Sequence, residues 1–143
     1  MLGNLLKNPD FIGLMSENCR AVLEFLKAQD LEFAIVANTA FTSFDPPLPD
    51  ELCLKEPYAL FVFAGYTLSS LELGREEICF HAGFGPDDFA SYVRVDLGAV
   101  VQIQVENSAI FLNFSHYQGR EEKNRVQNSK NLFLKNNQNL FKK

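Results

Sequence analysis

The hydrophobic residues of this chain change their spacing near residue 31, and this change constrains the fold more than any other feature. Before it, Met15, Cys19, Val22 and Leu26 recur at the 3.6-residue period of one helix face. After it, apolar residues come in short runs separated by turn residues. This order predicts one helix followed by closely spaced strands, a pattern typical of a small barrel or sandwich.

The helix is expected to begin near Met15, with Ser16 as a candidate N-cap, and to end near Asp30. Asp10, which follows Pro9, offers an alternative start one or two turns earlier. Its apolar face predicts a helix that covers one side of a sheet.

Short apolar runs predict six or seven strands. A loop over residues 39–56 separates the first two, and its three prolines exclude a central strand there. The predicted fold is therefore α+β and mainly β, an N-terminal helix followed by a small β-barrel. The strand segments are 31–38, 58–64, 68–73, 77–84, 92–95, 100–105 and 110–114.

Charge divides the chain into two parts. Residues 1–115 hold six Lys or Arg against sixteen Asp or Glu, a net charge of −10, which disfavours nucleic-acid binding by this domain. Residues 116–143 are rich in Asn, hold seven basic residues against two glutamates, and form a predicted basic tail. Composition favours a flexible tail, but Val126, Phe133 and Leu140 recur every seven residues and leave a docked helix open.

Composition also bears on the compartment. No apolar run approaches the roughly 18 to 20 residues that span a bilayer, and residues 1–14 do not read as a signal peptide. Three cysteines without close pairing argue against a disulfide framework. We therefore expect a cytoplasmic protein without a membrane segment.

Residues 77–84 alternate, so that Ile78, Phe80, Ala82 and Phe84 are expected on one face of a strand. The other face would carry Glu77, Cys79, His81 and Gly83, which invites a metal or Cys/His nucleophile interpretation. A structural zinc site needs four ligands, however, and a cysteine nucleophile needs a base oriented by a third group. We therefore expect no metal, no cofactor and no enzyme.

Two stretches of the sequence, Leu71-Glu72-Leu73 with residues 77–85 and residues 93–103, resemble the stringent starvation protein B (SspB) family of adaptors for the protease ClpXP. Leu71-Glu72-Leu73 followed by residues 77–85 (EICFHAGFG) is similar to the family's L-E-L…E-[VI]-x-F-N-A-R-F-G core. Residues 93–103 (VRVDLGAVVQI) resemble its V-x-V-P-L-A-A-V-x-x-I segment, and Glu106-Asn107 stands where the family has E-N. The resemblance covers roughly residues 15–114. His81 and Gly83 depart from it, because the family has Asn and usually Arg there.

This resemblance implies an Sm-related barrel and a non-enzymatic adaptor that delivers proteins carrying the tmRNA-encoded (ssrA) tag to ClpXP, with ClpX as the partner. It implies a homodimer through the first helix, at Met15, Cys19, Val22, Leu23 and Leu26. It places a peptide-binding groove at Phe61, Phe63, Ala64, His81, Ala82, Gly83 and Phe84. By position and chemistry, it assigns protease docking to Leu132, Phe133, Leu140, Phe141, Lys142 and Lys143.

Two other functions stay open on the sequence. Secretion chaperones are also small, acidic and dimeric, and one of them would fold its C-terminal helix onto the body. An Sm-like RNA-binding protein would use the basic tail, although the charge of the body opposes that function.

Overall fold

The computed structural model describes residues 1–119. Its helices are α1 (Leu2–Leu6), α2 (Pro9–Ala28) and α3 (Gly65–Ser69). Its strands are β1 (Phe33–Asn38), β2 (Thr42–Asp45), β3 (Tyr58–Phe63), β4 (Glu72–Leu73), β5 (Glu77–Phe84), β6 (Phe89–Asp96), β7 (Val100–Val105) and β8 (Ser108–Leu112).

Helix α2 begins earlier than the hydrophobic spacing predicts. Asn8 is its N-cap, because the Asn8 Oδ1 accepts the backbone N–H groups of Asp10 and Phe11 at 2.7 and 3.3 Å. Proline suits the first helical position, where its missing N–H has no partner to lose. The alternative start near Asp10 is thus confirmed, and a start at Met15 with Ser16 as cap is wrong.

The strands form two antiparallel four-stranded sheets. Sheet I has the order β3-β1-β7-β8, and sheet II has the order β2-β6-β5-β4. The α+β class, mainly β with an N-terminal helix, is confirmed. Within residues 1–119 the strands make two separate sheets, and no single barrel closes around the core.

Two stretches of chain differ from the prediction. Residues 65–69 form α3, so that only Glu72–Leu73 of the predicted strand 68–73 is extended. The predicted loop 39–56 contains strand β2, which pairs with β6 at the edge of sheet II. The three prolines follow β2 and do exclude a central strand, but they leave room for an edge strand before them.

The core lies between the sheets and under α2. The rings of Phe33 on β1 and Phe63 on β3 stack at 4.8 Å, and sheet II contributes Ile78 and Phe80 from β5. Each fully buried side chain of this size stabilises the fold by about 1.5 to 3 kcal/mol. The predicted alternation of residues 77–84 is confirmed, since Ile78 and Phe80 are buried and Ala82 and Phe84 pack against the core.

The chain after β8 is tied to the body. The buried side-chain amide of Asn113 donates to the C=O groups of Gly98 and Val100, at 3.4 and 3.3 Å. The Tyr117 hydroxyl donates to the Asp96 carboxylate at 2.6 Å. In the described part of the chain, no helix is long and apolar enough to cross a membrane.

Candidate functional site

Strands β3 and β5 lie in different sheets and face each other across the interior. The ring of Phe80 on β5 meets those of Phe61 and Phe63 on β3 at 5.6 and 4.6 Å. Both β3 residues are predicted to bind a peptide, yet only 4% and 0% of their surfaces are exposed. They pack in the core and have almost no exposed surface that a peptide could contact.

We call the region between residues 58–62 of β3 and residues 81–84 of β5 the seam. Ala59 and Ala82 point inward from its two sides and are only half-buried. Phe84 is also half-buried, and its ring meets that of Phe44 edge to face at 5.6 Å. These side chains make the seam apolar, and its two alanines fill little volume.

The edge of β3 presents free backbone to the seam. The N–H of Thr39 donates to the C=O of Pro57 at 2.9 Å, so every second residue from 57 to 63 is bonded to β1. The N–H and C=O groups of Tyr58, Leu60 and Val62 therefore point away from β1, and no residue within 1–119 pairs with them. The side chains of these three residues are 53–60% exposed.

The edge of β5 is also partly open. Strand β4 pairs only with Ile78 and Cys79, and beyond it the N–H of His81 donates to the Ser70 Oγ at 2.9 Å. By strand alternation, Gly83 is the next residue whose backbone points to this edge, and its N–H and C=O have no partner in the described chain. Two unpaired edges, one from each sheet, thus border the seam.

Aromatic side chains cover the outer face of sheet II beside this edge. The His81 ring lies 4.7 Å from that of Tyr92 and 5.9 Å from that of Tyr66. The Tyr92 hydroxyl donates to the Glu72 carboxylate at 3.2 Å. The pKa of Tyr92 is raised to about 12, first by its hydrogen bond with Cys79, then by desolvation and by the charge of Glu72. The hydroxyl is a donor at neutral pH.

Two further residues of the predicted groove are Gly83, which the Asp88 side chain covers, and Ala64, which lies between β3 and α3. The Asp88 carboxylate folds over Gly83, where it would overlap any Cβ at residue 83. Asp88 has a φ of +53° in the turn between β5 and β6, a conformation that Asp and Asn adopt more readily than most residues. Ala64 follows β3, caps α3 and is half-buried.

The described residues give little structural support to the metal and nucleophile interpretations. Among residues 1–119, no group of three His, Cys, Asp or Glu is arranged to hold a metal ion. Cys79 is 8% exposed, and its thiol donates to Glu77 Oε2 at 3.9 Å. Burial raises the pKa of the Cys19 thiol to about 12, which suppresses the reactive thiolate.

The predicted dimer residues divide into two groups. Cys19, Leu23 and Leu26 are at most 3% exposed because they pack on the chain's own sheets, and they have no surface to offer a second copy. Met15 and Val22 are half-buried at the flank. The large apolar side chains exposed on α2 are instead Leu14 and Phe25, at 51% and 60%.

The predicted protease-docking residues lie outside the described part of the chain. They are Leu132, Phe133, Leu140, Phe141, Lys142 and Lys143.

Sequence reasoning missed the free edge of β3 and the position of Asp88 over Gly83. Pro57 directly before β3 is a signal for the edge, since proline is confined to edge strands or strand starts. The position of the Asp88 carboxylate over Gly83 depends on the turn between β5 and β6, and no pattern in the sequence predicts it.

No protein-family model matches the sequence of this chain, and no curated protein matches it. Its function is therefore inferred from the seam and from the motifs that surround it.

Proposed function

We propose that this chain is a non-enzymatic adaptor that binds the ssrA degradation tag in the seam and delivers tagged proteins to the ClpXP protease. The observation that supports this most is the pair of strand edges, one on β3 and one on β5, that residues 1–119 leave unpaired beside the apolar seam. The SspB-like motif of residues 77–85 runs along one of these edges. In this proposal the two sheets correspond to the family's Sm-related barrel, and the protein acts in the cytoplasm.

A seam of this kind suits one extended peptide. The free N–H and C=O groups of Tyr58, Leu60, Val62 and Gly83 can bond to a guest backbone, which is the usual basis of affinity when a peptide adds to a strand edge. Ala82 allows the guest chain to approach closely, because its own side chain is small.

The charge of the body favours neutral or basic tags. Residues 1–115 carry a net charge of −10, so a tag rich in Asp and Glu approaches against repulsion. A tag with Lys or Arg is attracted over the same distance, an effect that added salt weakens.

Delivery requires a second contact, with the unfoldase ClpX. We assign it to the apolar and basic residues near the C-terminus, Leu140, Phe141, Lys142 and Lys143, with a similar set at residues 132–135. Holding substrate and unfoldase on one molecule raises their effective concentration toward about the millimolar range. A homodimer through α2 would double the number of such contacts.

The experiment is a direct binding measurement followed by a delivery assay. A fluorescent peptide with the host's own tag should bind the full chain saturably, and a scrambled peptide of equal composition should bind at least tenfold more weakly. The chain should then lower the KM for degradation of a tagged substrate by ClpXP. Equal affinity for tag and scrambled peptide would overturn the proposal.

A further inference from the structure

Asp88 lies beside the open edge of β5, and no Lys, Arg or His among residues 1–119 forms an ion pair with it. Its carboxylate covers Gly83 on the outer face of sheet II. Within residues 1–119 that carboxylate makes no side-chain hydrogen bond and no ion pair. It is exposed, so its negative charge is available to a ligand.

The lysine that the described residues offer beside this edge, Lys27, is engaged elsewhere. The adjoining depression of about 650 Å³ is lined by Lys27, Glu72, His81 and Tyr92, among others. The Lys27 ammonium donates to the C=O of Leu71 at 2.5 Å and is already engaged there.

A guest strand on this edge would meet Asp88 at a defined position. A guest residue directly opposite Gly83 places its Cβ on the same face of the sheet, about 4.5–5.5 Å from the position that a Cβ of residue 83 would occupy. Gly83 has no side chain, and the Asp88 carboxylate stands in its place. The guest side chain opposite Gly83 therefore faces a carboxylate.

We propose that Asp88 is a specificity-determining residue that selects guest peptides with Lys or Arg opposite Gly83. This inference rests on the proposed function, because it takes the seam as the peptide site. A cationic side chain there forms a charge-assisted hydrogen bond with Asp88, whereas Glu or Asp meets a like charge.

The test uses the full chain and fluorescent peptides based on the host's tag, with Lys, Gln or Glu placed at each position in turn. At one position, wild type should bind the Lys peptide at least tenfold more tightly than the Glu peptide. Asp88→Asn should reduce this ratio to below about threefold, and its fold should survive because Asn tolerates the positive φ. Asp87→Asn is the matched control, since it removes the same charge one residue away and should keep the preference.

The outcomes separate the two proposals. If the peptides bind but no position shows a charge preference, the role of Asp88 is overturned and the adaptor function stands. The same follows if Asp87→Asn and Asp88→Asn lower the ratio equally, because the effect is then one of overall charge. If none of the peptides binds saturably to wild type, the proposed function fails, and the role of Asp88 fails with it.

Discussion

The backbone N–H of His81 donates its hydrogen bond to the hydroxyl of Ser70, 2.9 Å away, at the point where β4 has already ended. The serine side chain thus takes the place of a strand partner for one residue. Gly83, two residues on, has no such partner in the described chain. If a guest strand pairs with β5 as proposed, Ser70 and the end of α3 limit it to the part of this edge beyond His81.

Ala82→Gln should weaken tag binding at least tenfold, or about 1.4 kcal/mol, because the long polar side chain would fill the seam. Ala82 is half-buried, so the fold should survive. Fluorescence anisotropy with the tag peptide measures the affinity, and thermal unfolding checks the fold. Ala21→Gln, on the exposed side of α2, is the control and should bind like wild type. Wild-type affinity in Ala82→Gln would move the peptide site elsewhere.

Leu23 and Phe25 on α2 should respond in opposite ways to substitution. Leu23 is fully buried, so Leu23→Ala should lower the free energy of unfolding by about 2–5 kcal/mol. Phe25 is 60% exposed, so Phe25→Asp should change stability by only about 0.5 kcal/mol while it weakens self-association through α2. Urea unfolding and sedimentation equilibrium measure the two effects. Wild type that sediments as a monomer at tens of micromolar, or Phe25→Asp that dimerises as strongly as wild type, would contradict an α2 interface.

The three cysteines should differ widely in reactivity. Cys53 is exposed, whereas burial raises the pKa of Cys19 to about 12. The thiolate is the reactive form, so at pH 8 an aromatic disulfide reagent should modify Cys53 quickly and Cys19 only after unfolding. Cys53→Ser should remove the fast phase. A fast phase that persists in this variant would show that the interior opens more readily than its packing indicates.

Burial of Cys19 also predicts a loss of stability in alkali. In the unfolded chain the thiol ionises near the ordinary cysteine pKa of 9.0, while the folded thiol stays protonated up to about pH 12. The stabilisation is thus fully present below about pH 9 and is lost as the pH rises toward 12. Urea unfolding of wild type and Cys19→Ala between pH 8 and 11 measures it, and the decline should be shallower in the variant. Equal slopes would mean that other groups cause the alkaline loss.

Deletion of residues 130–143 should separate binding from delivery. The peptide affinity should stay within about twofold of wild type, because the seam lies entirely in the body. The lowering of KM for a tagged substrate of ClpXP should be lost, since both apolar-basic segments are removed. If the deletion weakens peptide binding and thermal stability together, the tail is a docked part of the body and does not act as a tether.

The sequence allowed the strands around the core to be predicted more closely than the seam. Hydrophobic alternation placed residues 77–84 correctly, because a strand with one buried face must alternate. It misassigned residues 68–69 to a strand, where the end of a short helix packs against β5. The same limit applies to Phe61 and Phe63, which share the predicted side of the groove but are covered by Phe80. Whether an apolar residue is buried or exposed to a peptide depends on how the two sheets pack. The spacing of residues along one strand does not contain that information.

The free edge of β3 has a consequence for the protein at high concentration. Tyr58, Leu60 and Val62 combine unpaired backbone with exposed apolar side chains, and they carry no charge that would repel a second β3 strand. Proteins usually shield such edges with lysine, proline or a covering segment, because an open edge also pairs with copies of itself. A peptide bound in the seam would therefore limit self-association. While it is bound, it occupies the hydrogen-bonding groups through which copies with an empty seam would pair with one another.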